Sequence, residues 1–238
     1  MGILSFKKRL EQIHGAVKLR NEQVILSLLE QDNACRFLDL GCGNGKFTRE
    51  LGERIGTKNF YGLELVAESA QQAEQRGVEV YVADLNEPLP LDSASFDVVH
   101  AKEILEHLYH TDLFLKEIYR VLVRGGYAIV CVPNLAAWHN IFSLILGYQP
   151  FPATVSDEII LGNPLGVRYK VSRAGIKSPL HLRIPTYRGL KELFQYHGFK
   201  VEKIVGSGYY PFWGIVARVA SRLDPRHSAY LTVKARKK

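Results

Sequence analysis

Between Arg36 and Phe47 the chain reads Arg-Phe-Leu-Asp-Leu-Gly-Cys-Gly-Asn-Gly-Lys-Phe, an apolar run that passes directly into three glycines at alternate positions. This stretch constrains the fold more than any other. An apolar run of strand length bounded by glycines reads as a buried strand, and the helix-forming residues from Lys46 to Ile55 read as the helix that follows it. A chain that leaves a buried parallel strand and turns at once into a helix needs positive φ angles, and a ligand facing the turn needs room to approach the backbone. Gly41, Gly43 and Gly45 supply both. The dinucleotide fingerprint spaces its glycines G-x-G-x-x-G; the spacing here is G-x-G-x-G.

Further acids and strands follow in the order a doubly wound sheet requires. Asn59 to Glu64 reads as a second strand ending in a carboxylate, about 20 residues beyond the turn, where such folds accept hydrogen bonds from ribose hydroxyls. Val66 to Arg76 reads as a helix stopped by Gly77, Val78 to Val82 as the third strand, and Phe96 to His100 as the start of the fourth. The Asp39-x-Gly41-x-Gly43-x-Gly45 pattern resembles motif I of the class I S-adenosylmethionine (SAM) dependent methyltransferases. Phe96-Asp97-Val98-Val99, followed by Glu103-Ile104-Leu105-Glu106-His107-Leu108, is similar to the UbiG/UbiE-like members of that superfamily, which mostly act on small molecules. The likeness is tight over residues 34–134 and includes Gly125-Gly126 before the fifth strand, Tyr127 to Val132.

The resemblance implies a Rossmann-like three-layer α/β/α sandwich around a seven-stranded, mostly parallel sheet whose last strand is antiparallel. It implies SAM as methyl donor and S-adenosylhomocysteine as product. The cofactor-binding positions it implies are Asp39, Gly41, Cys42, Gly43, Gly45, Glu64, Leu65, Asp84, Leu85 and Ala101, with Asp84 or a neighbouring amide meeting the adenine amino group. A turn or capping role is the alternative for Asp84.

At 238 residues with 47% hydrophobic content, the chain is long enough to bury a core without staples. One domain is expected, divided into an N-terminal helical cover (1–33), a SAM-binding core (34–134), a lid or substrate insert after strand 5 (135–183) and a C-terminal helix-strand-helix-strand unit (184–238). One or two amphipathic helices are expected over residues 8–31, helices over Asp112 to Val123, Tyr187 to His197 and Phe212 to Leu223, and strands over Phe199 to Val205 and Ser228 to Ala235. The insert carries prolines and the aromatics Trp138, Phe142, Tyr148, Phe151 and Tyr169, and long loops inside a compact domain are usually functional.

Cys35, Cys42 and Cys131 are odd in number and sit on or beside expected strands, so a disulfide framework is not expected and a reducing compartment fits. No run is long enough to span a bilayer and no signal-peptide pattern is present, which gives a cytoplasmic expectation. The net charge of +7 would favour an anionic partner, but its densest runs, Lys7-Lys8-Arg9 and Lys234 to Lys238, lie near the chain ends, where solvated charge is common.

Methyl transfer from a sulfonium is an in-line displacement, so the protein must hold donor and acceptor together and, for a hydroxyl acceptor, take up a proton. Glu103, Glu106 and His107 fall at i, i+3 and i+4 and are expected on one helical face beyond the fourth strand. His107, Glu103 and His181 are the candidate catalytic residues. Glu103, Glu106 and His107 are also candidate ligands for a divalent metal such as Mg²⁺, with His181 or His139 as a further ligand in the manner of the RNA 3′-terminal 2′-O-methyltransferases. The competing readings of the pair are His107 as base or substrate contact, and a structural role.

A small-molecule methyl acceptor, methylated on oxygen, is the expected substrate. The Asn/Asp-Pro-Pro-aromatic run of amino-directed DNA methylation is absent, which disfavours nucleic acid. A metal-dependent RNA-end methyltransferase and a SAM-binding protein without catalysis are the alternatives. Arg168 and Arg183 would meet an acidic substrate. Ala136 to Leu146 and Phe212 to Val219 combine apolar residues with flanking base, so each is either a stripe of the core or lid or a surface for peripheral membrane contact. The oligomeric state is left open.

Overall fold

The computed structural model describes residues 2–156, 159, 161–163, 181–212 and 214–238, residues 2–11 by backbone alone. Arg168 and Tyr169 of the insert, and Trp213, lie outside the described residues. The chain runs α1 (Gly2–Leu28), β1 (Arg36–Leu40), α2 (Lys46–Ile55), β2 (Asn59–Glu64), α3 (Ala67–Glu74), β3 (Glu79–Val82), β4 (Phe96–Lys102), α4 (Thr111–Val121), β5 (Leu122–Pro133), α5 (Trp138–Ile145), α6 (Tyr187–Tyr196), β6 (Phe199–Ser207), α7 (Gly214–Leu223) and β7 (Tyr230–Lys237). One-turn 3₁₀ helices lie at Leu105–His107 and Pro225–His227.

The seven strands form one sheet in the order β3-β2-β1-β4-β5-β7-β6. β1 to β5 run parallel, and β7 is antiparallel to both β5 and β6. This is the architecture expected. The order reverses beside β1, whose neighbours are β2 and β4, and in such sheets ligands bind where the order reverses, at the carboxyl ends of the strands.

The strands alternate between two apolar layers, as a sheet covered on both faces requires. Leu38, Leu40, Val99, Ala101, Ala128 and Val130 meet Phe114, Leu115 and Ile118 of α4 and Leu190 and Phe194 of α6. Phe37, Val98, Ile129 and Cys131 point the other way, against Val24, Ile25 and Leu28 of α1 and Leu51 and Ile55 of α2. The cysteines are buried and free.

Several element bounds differ from expectation by a few residues. The N-terminal segment is one unbroken helix, and strand pairing resumes at Leu122, before the glycines, because Leu122 pairs with Phe96 across β4. Gly126 then lets Asp97 come close: a Cβ there would lie 2.8 Å from its carbonyl oxygen.

α1 is fastened to the sheet by a buried polar side chain. Asn21, fully buried, accepts from the Ser207 and Thr232 hydroxyls at 2.9 and 3.4 Å and donates to the Cys131 sulfur at 3.0 Å. Lys102 adds an ion pair to Glu22 at 2.6 Å. Removing the amide leaves two buried hydroxyls without their acceptor. Asn21→Ala is therefore expected to lower stability by about 1–3 kcal/mol, read from urea unfolding; an unchanged midpoint would show that α1 is held by its apolar face alone.

Candidate functional site

The glycine turn closes against β2 through its own backbone. The Gly41 and Cys42 amides donate to the Leu63 carbonyl at 2.7 and 3.1 Å, and the Gly43 amide donates to the Glu64 carboxylate at 2.8 Å. The second carboxylate oxygen of Glu64 accepts from the Val66 amide at 3.0 Å. Glu64 thus lies over the turn.

The three glycines serve different ends. All have positive φ. A Cβ on Gly45 would come within 2.8 Å of Ala73, so Gly45 seats α3, and one on Gly41 would strike Ile104 at 2.3 Å. A Cβ on Gly43 meets nothing within 4 Å. Among the described residues the turn is therefore open at its middle, beside the Glu64 carboxylate.

The remaining expected cofactor residues are placed unevenly. Cys42 turns its sulfur inward onto β2, where a Cβ on Gly62 would lie 2.5 Å from it, so it offers only backbone to the site. Leu65 is exposed beyond Glu64, and Ala101 and Leu85 are buried in the core. The Asp84 carboxylate accepts from the Asn86 amide and side chain at 2.8 and 3.0 Å, the turn-forming role.

Asp39 does not reach the open side. Its buried carboxylate accepts from the Thr48 hydroxyl of α2 at 2.6 Å and lies 2.7 Å from His100 Nδ1 of β4. The register that sets Asp39 opposite His100 puts both on one face, and the group pins β1, α2 and β4 directly behind the glycines. Sequence reasoning missed His100 and Thr48. The alternation of Phe-Asp-Val-Val-His carries a signal, since it assigns His100 to the layer of Val98, where a polar side chain needs a buried partner.

The expected helical face beyond β4 does not form. β4 runs on to Lys102, Glu103 turns into the left-handed region at φ 55°, and a single 3₁₀ turn follows. The Glu103 amide is tied to the Cys131 carbonyl at 2.8 Å, which fixes the reversal. The two glutamates therefore part company.

Glu106 joins His107 and His181, with one ligand atom from each within 4.8 Å of the others, and Glu103 is not in that group. The His107 and His181 rings stand edge to face at 4.8 Å. The second histidine is delivered by backbone, because the Leu182 amide donates to the Glu106 carbonyl at 2.6 Å and Arg183 donates to the Leu108 and Tyr109 carbonyls at 3.0 and 2.9 Å. Arg183 is thereby spent as a strut for this turn. Glu106 is fully buried, and neither carboxylate oxygen has a hydrogen-bond partner among the described residues. Burial, and less strongly the charge of Glu103, push its carboxyl up to about 8.

Glu103 faces aromatic groups instead. Burial first, then its charge, raise the Tyr210 phenol to about 12 and also raise that of Tyr230. His139 of α5 stands edge-on to Tyr210 at 5.0 Å, and His14 of α1 lies 3.2 Å from the Tyr210 hydroxyl. Residues from α1, α5 and the loop after β6 so converge on Tyr210, a grouping that could not be assembled from sequence spacing.

Sheet order, glycine cradle and carboxylate are those of the class I SAM-dependent methyltransferase fold, and the match of residues 38–130 to the methyltransferase domain family Methyltransf_11 supports that superfamily. Among curated relatives it is similar to the mitochondrial ubiquinone biosynthesis O-methyltransferase of Rattus norvegicus, 25% identical over 219 residues that span 82% of this chain and 57% of that protein. It is also similar to the malonyl-[acyl-carrier protein] O-methyltransferase of a Marinomonas strain, 34% identical over 110 residues, 44% of this chain and 40% of that one. The chain spans about half the length of the curated relatives it matches. Among solved structures, a SAM-dependent methyltransferase from Thermotoga maritima, described as a possible histamine N-methyltransferase, shares the fold with a TM-score of 0.63 at 20% identity, over 99% of this chain and 96% of that one.

His139 generates a pH test. Burial lowers its imidazole from 6.5 to about 4, so in the folded chain it stays neutral where the unfolded chain takes up a proton. Its contribution to stability is complete above pH 6.5 and is lost as pH falls toward 4. Relative to His139→Gln, the wild-type chain is expected to lose its advantage in urea unfolding as pH falls from about 6.5 to about 4; a constant difference would mean that this imidazole is hydrated.

Proposed function

We propose that the chain is a SAM-dependent methyltransferase whose acceptor is an oxygen of a small molecule. The observation that carries the reading is the open face at Gly43 with the Glu64 carboxylate lying over it. A sulfonium nucleoside fits that chemistry: bare glycine backbone admits the donor, and Glu64 keeps lone pairs for ribose hydroxyls beyond those used by its two amide contacts. Bound there, the donor supplies an electrophilic methyl group. Asp39, Thr48 and His100 hold the cradle from behind.

On the acceptor side, Glu103, Tyr210, Tyr230 and His139 form a wall that orients the substrate, and His107, backed by His181, takes the hydroxyl proton. The O-methyltransferase names among the relatives support oxygen as the acceptor atom. Helix α5, at the start of the insert, contributes His139.

One observation favours a metal-assisted version of the same chemistry. A buried carboxylate without a hydrogen-bond partner, beside two imidazoles, is a donor set suited to a divalent ion. Glu106, His107 and His181 would hold it, and it would supply charge to acidify a vicinal diol such as an RNA 3′ terminus or a catechol.

Calorimetry tests the donor site. Glu64→Ala and Gly43→Asp are each expected to weaken SAM binding by roughly tenfold or more, the scale of a lost charge-assisted hydrogen bond or an obstructed cradle, and unchanged affinity would remove the reading. Turnover of metabolite pools with labelled SAM tests the acceptor site: His107→Ala should abolish product while leaving SAM affinity intact. Loss of turnover in EDTA, with RNA affinity falling steeply in salt, would select the metal-assisted RNA reading, whereas SAM binding without any S-adenosylhomocysteine would leave a non-catalytic binder.

A further inference from the structure

Two helices bury their small or polar residues and turn their large apolar ones outward. α7 buries only Ala217 and Ser221, while Ile215 and Leu223 are 75% and 81% exposed and Val216 and Val219 about half exposed. α5 buries only Asn140, and Phe142, Leu144 and Ile145 face solvent, followed by Leu146. A surface helix of a globular domain ordinarily does the reverse. The core-stripe expectation therefore fails for these residues.

The two helices are joined. The Trp138 indole, at the start of α5, donates to the Tyr209 hydroxyl at 2.7 Å and the Asp224 carboxylate at 3.1 Å, and its ring lies 4.5 Å from that of His227, just beyond α7. Trp138 also packs on Phe142 at 5.8 Å. Their outward side chains thus belong to one region of the surface, and apolar patches of this kind mark interaction sites.

Basic groups border the same region. Arg218 and Arg222 stand one turn apart on α7, and Arg20 of α1 lies close enough that their charges, after burial, lower its guanidinium from its ordinary value. Among the described residues none of the three has an ion-pair partner. Three like charges gathered without a counter-charge call for an anionic surface. A second copy of the chain, docked symmetrically on this face, would bring its own arginines against them.

We infer that the α5–α7 face docks the protein on an anionic lipid surface, with Phe142, Ile145, Ile215 and Leu223 entering the interfacial layer and Arg20, Arg218 and Arg222 meeting lipid phosphates. Among the described residues no helix is long and apolar enough to cross a membrane, so the contact is with one leaflet. It does not depend on the methyl-transfer reading. If both hold, α5 has its His139 side toward the acceptor wall and its apolar side toward lipid, a route for an acceptor with a hydrocarbon tail.

Co-sedimentation of the full chain with vesicles tests the inference. Binding is expected to vesicles of equal parts phosphatidylcholine and phosphatidylglycerol, to weaken with added salt, and to be negligible with phosphatidylcholine alone. Ile145→Asp with Ile215→Asp, and separately Arg218→Glu with Arg222→Glu, are each expected to weaken partition by roughly tenfold or more, with circular dichroism and SAM affinity unchanged. The inference is overturned if the wild-type chain stays in solution with both vesicle types, binds both equally, or binds as well after either pair of substitutions. Sedimentation velocity that showed a dimer lost on Ile215→Asp, without vesicle binding, would assign the face to a second copy and overturn it likewise.

Discussion

The site depends on a few backbone amides that have nowhere else to go. A strand that turns directly into a helix leaves its turn amides without helical partners, and here β2 takes three of them: Leu63 accepts two through its carbonyl and Glu64 one through its carboxylate. The carboxylate is thus held in place by the turn it overlooks. Because the same contact fixes the turn and orients the acid, cradle and carboxylate are one unit, and neither can shift without the other.

Behind that unit, polar groups have been buried where apolar ones would pack more simply. Asp39, Thr48 and His100 form a hydrogen-bonded set whose carboxylate is satisfied from two elements, and only His100 Nε2 lacks a partner among the described residues. Such a set is directional in a way an aliphatic contact is not. It fixes the angle at which β1 delivers the glycines and at which α2 leaves them, and that angle decides whether the middle of the turn stays open. The Asp39 carboxylate, expected from sequence at the cofactor, is engaged by Thr48 and His100 behind the turn.

What could be read from sequence divides along the same line. The bounds of α2 and β2 and the glycine turn were legible because each is dictated locally, by apolar periodicity and by residues that alone tolerate positive φ. The sheet architecture followed from the resemblance and is the one observed. The helix expected over Glu103 to His107 was not legible, because its breaking point is set from a distance: Glu103 adopts φ 55° while its amide is held by Cys131 on the neighbouring strand. His100 escaped notice for a similar reason, since its partner is fixed by strand register and not by sequence spacing. The cluster around Tyr210 was the least legible part, as it draws on residues as far apart as His14 and Tyr230.

The turn at Glu103 has a chemical consequence that a continuous helix would have erased. On one helical face, Glu103 and Glu106 would share an environment, and two carboxylates with two imidazoles nearby would behave as one acidic cluster. The left-handed residue sends the first toward the phenols of Tyr210 and Tyr230 and leaves the second buried with His107 and His181. Glu103 is partly accessible. Glu106, pushed up to about 8 by burial, is a neutral acid at physiological pH until a cation or an imidazolium approaches it. One backbone reversal therefore gives two similar side chains different surroundings, one partly accessible and the other buried with the histidines.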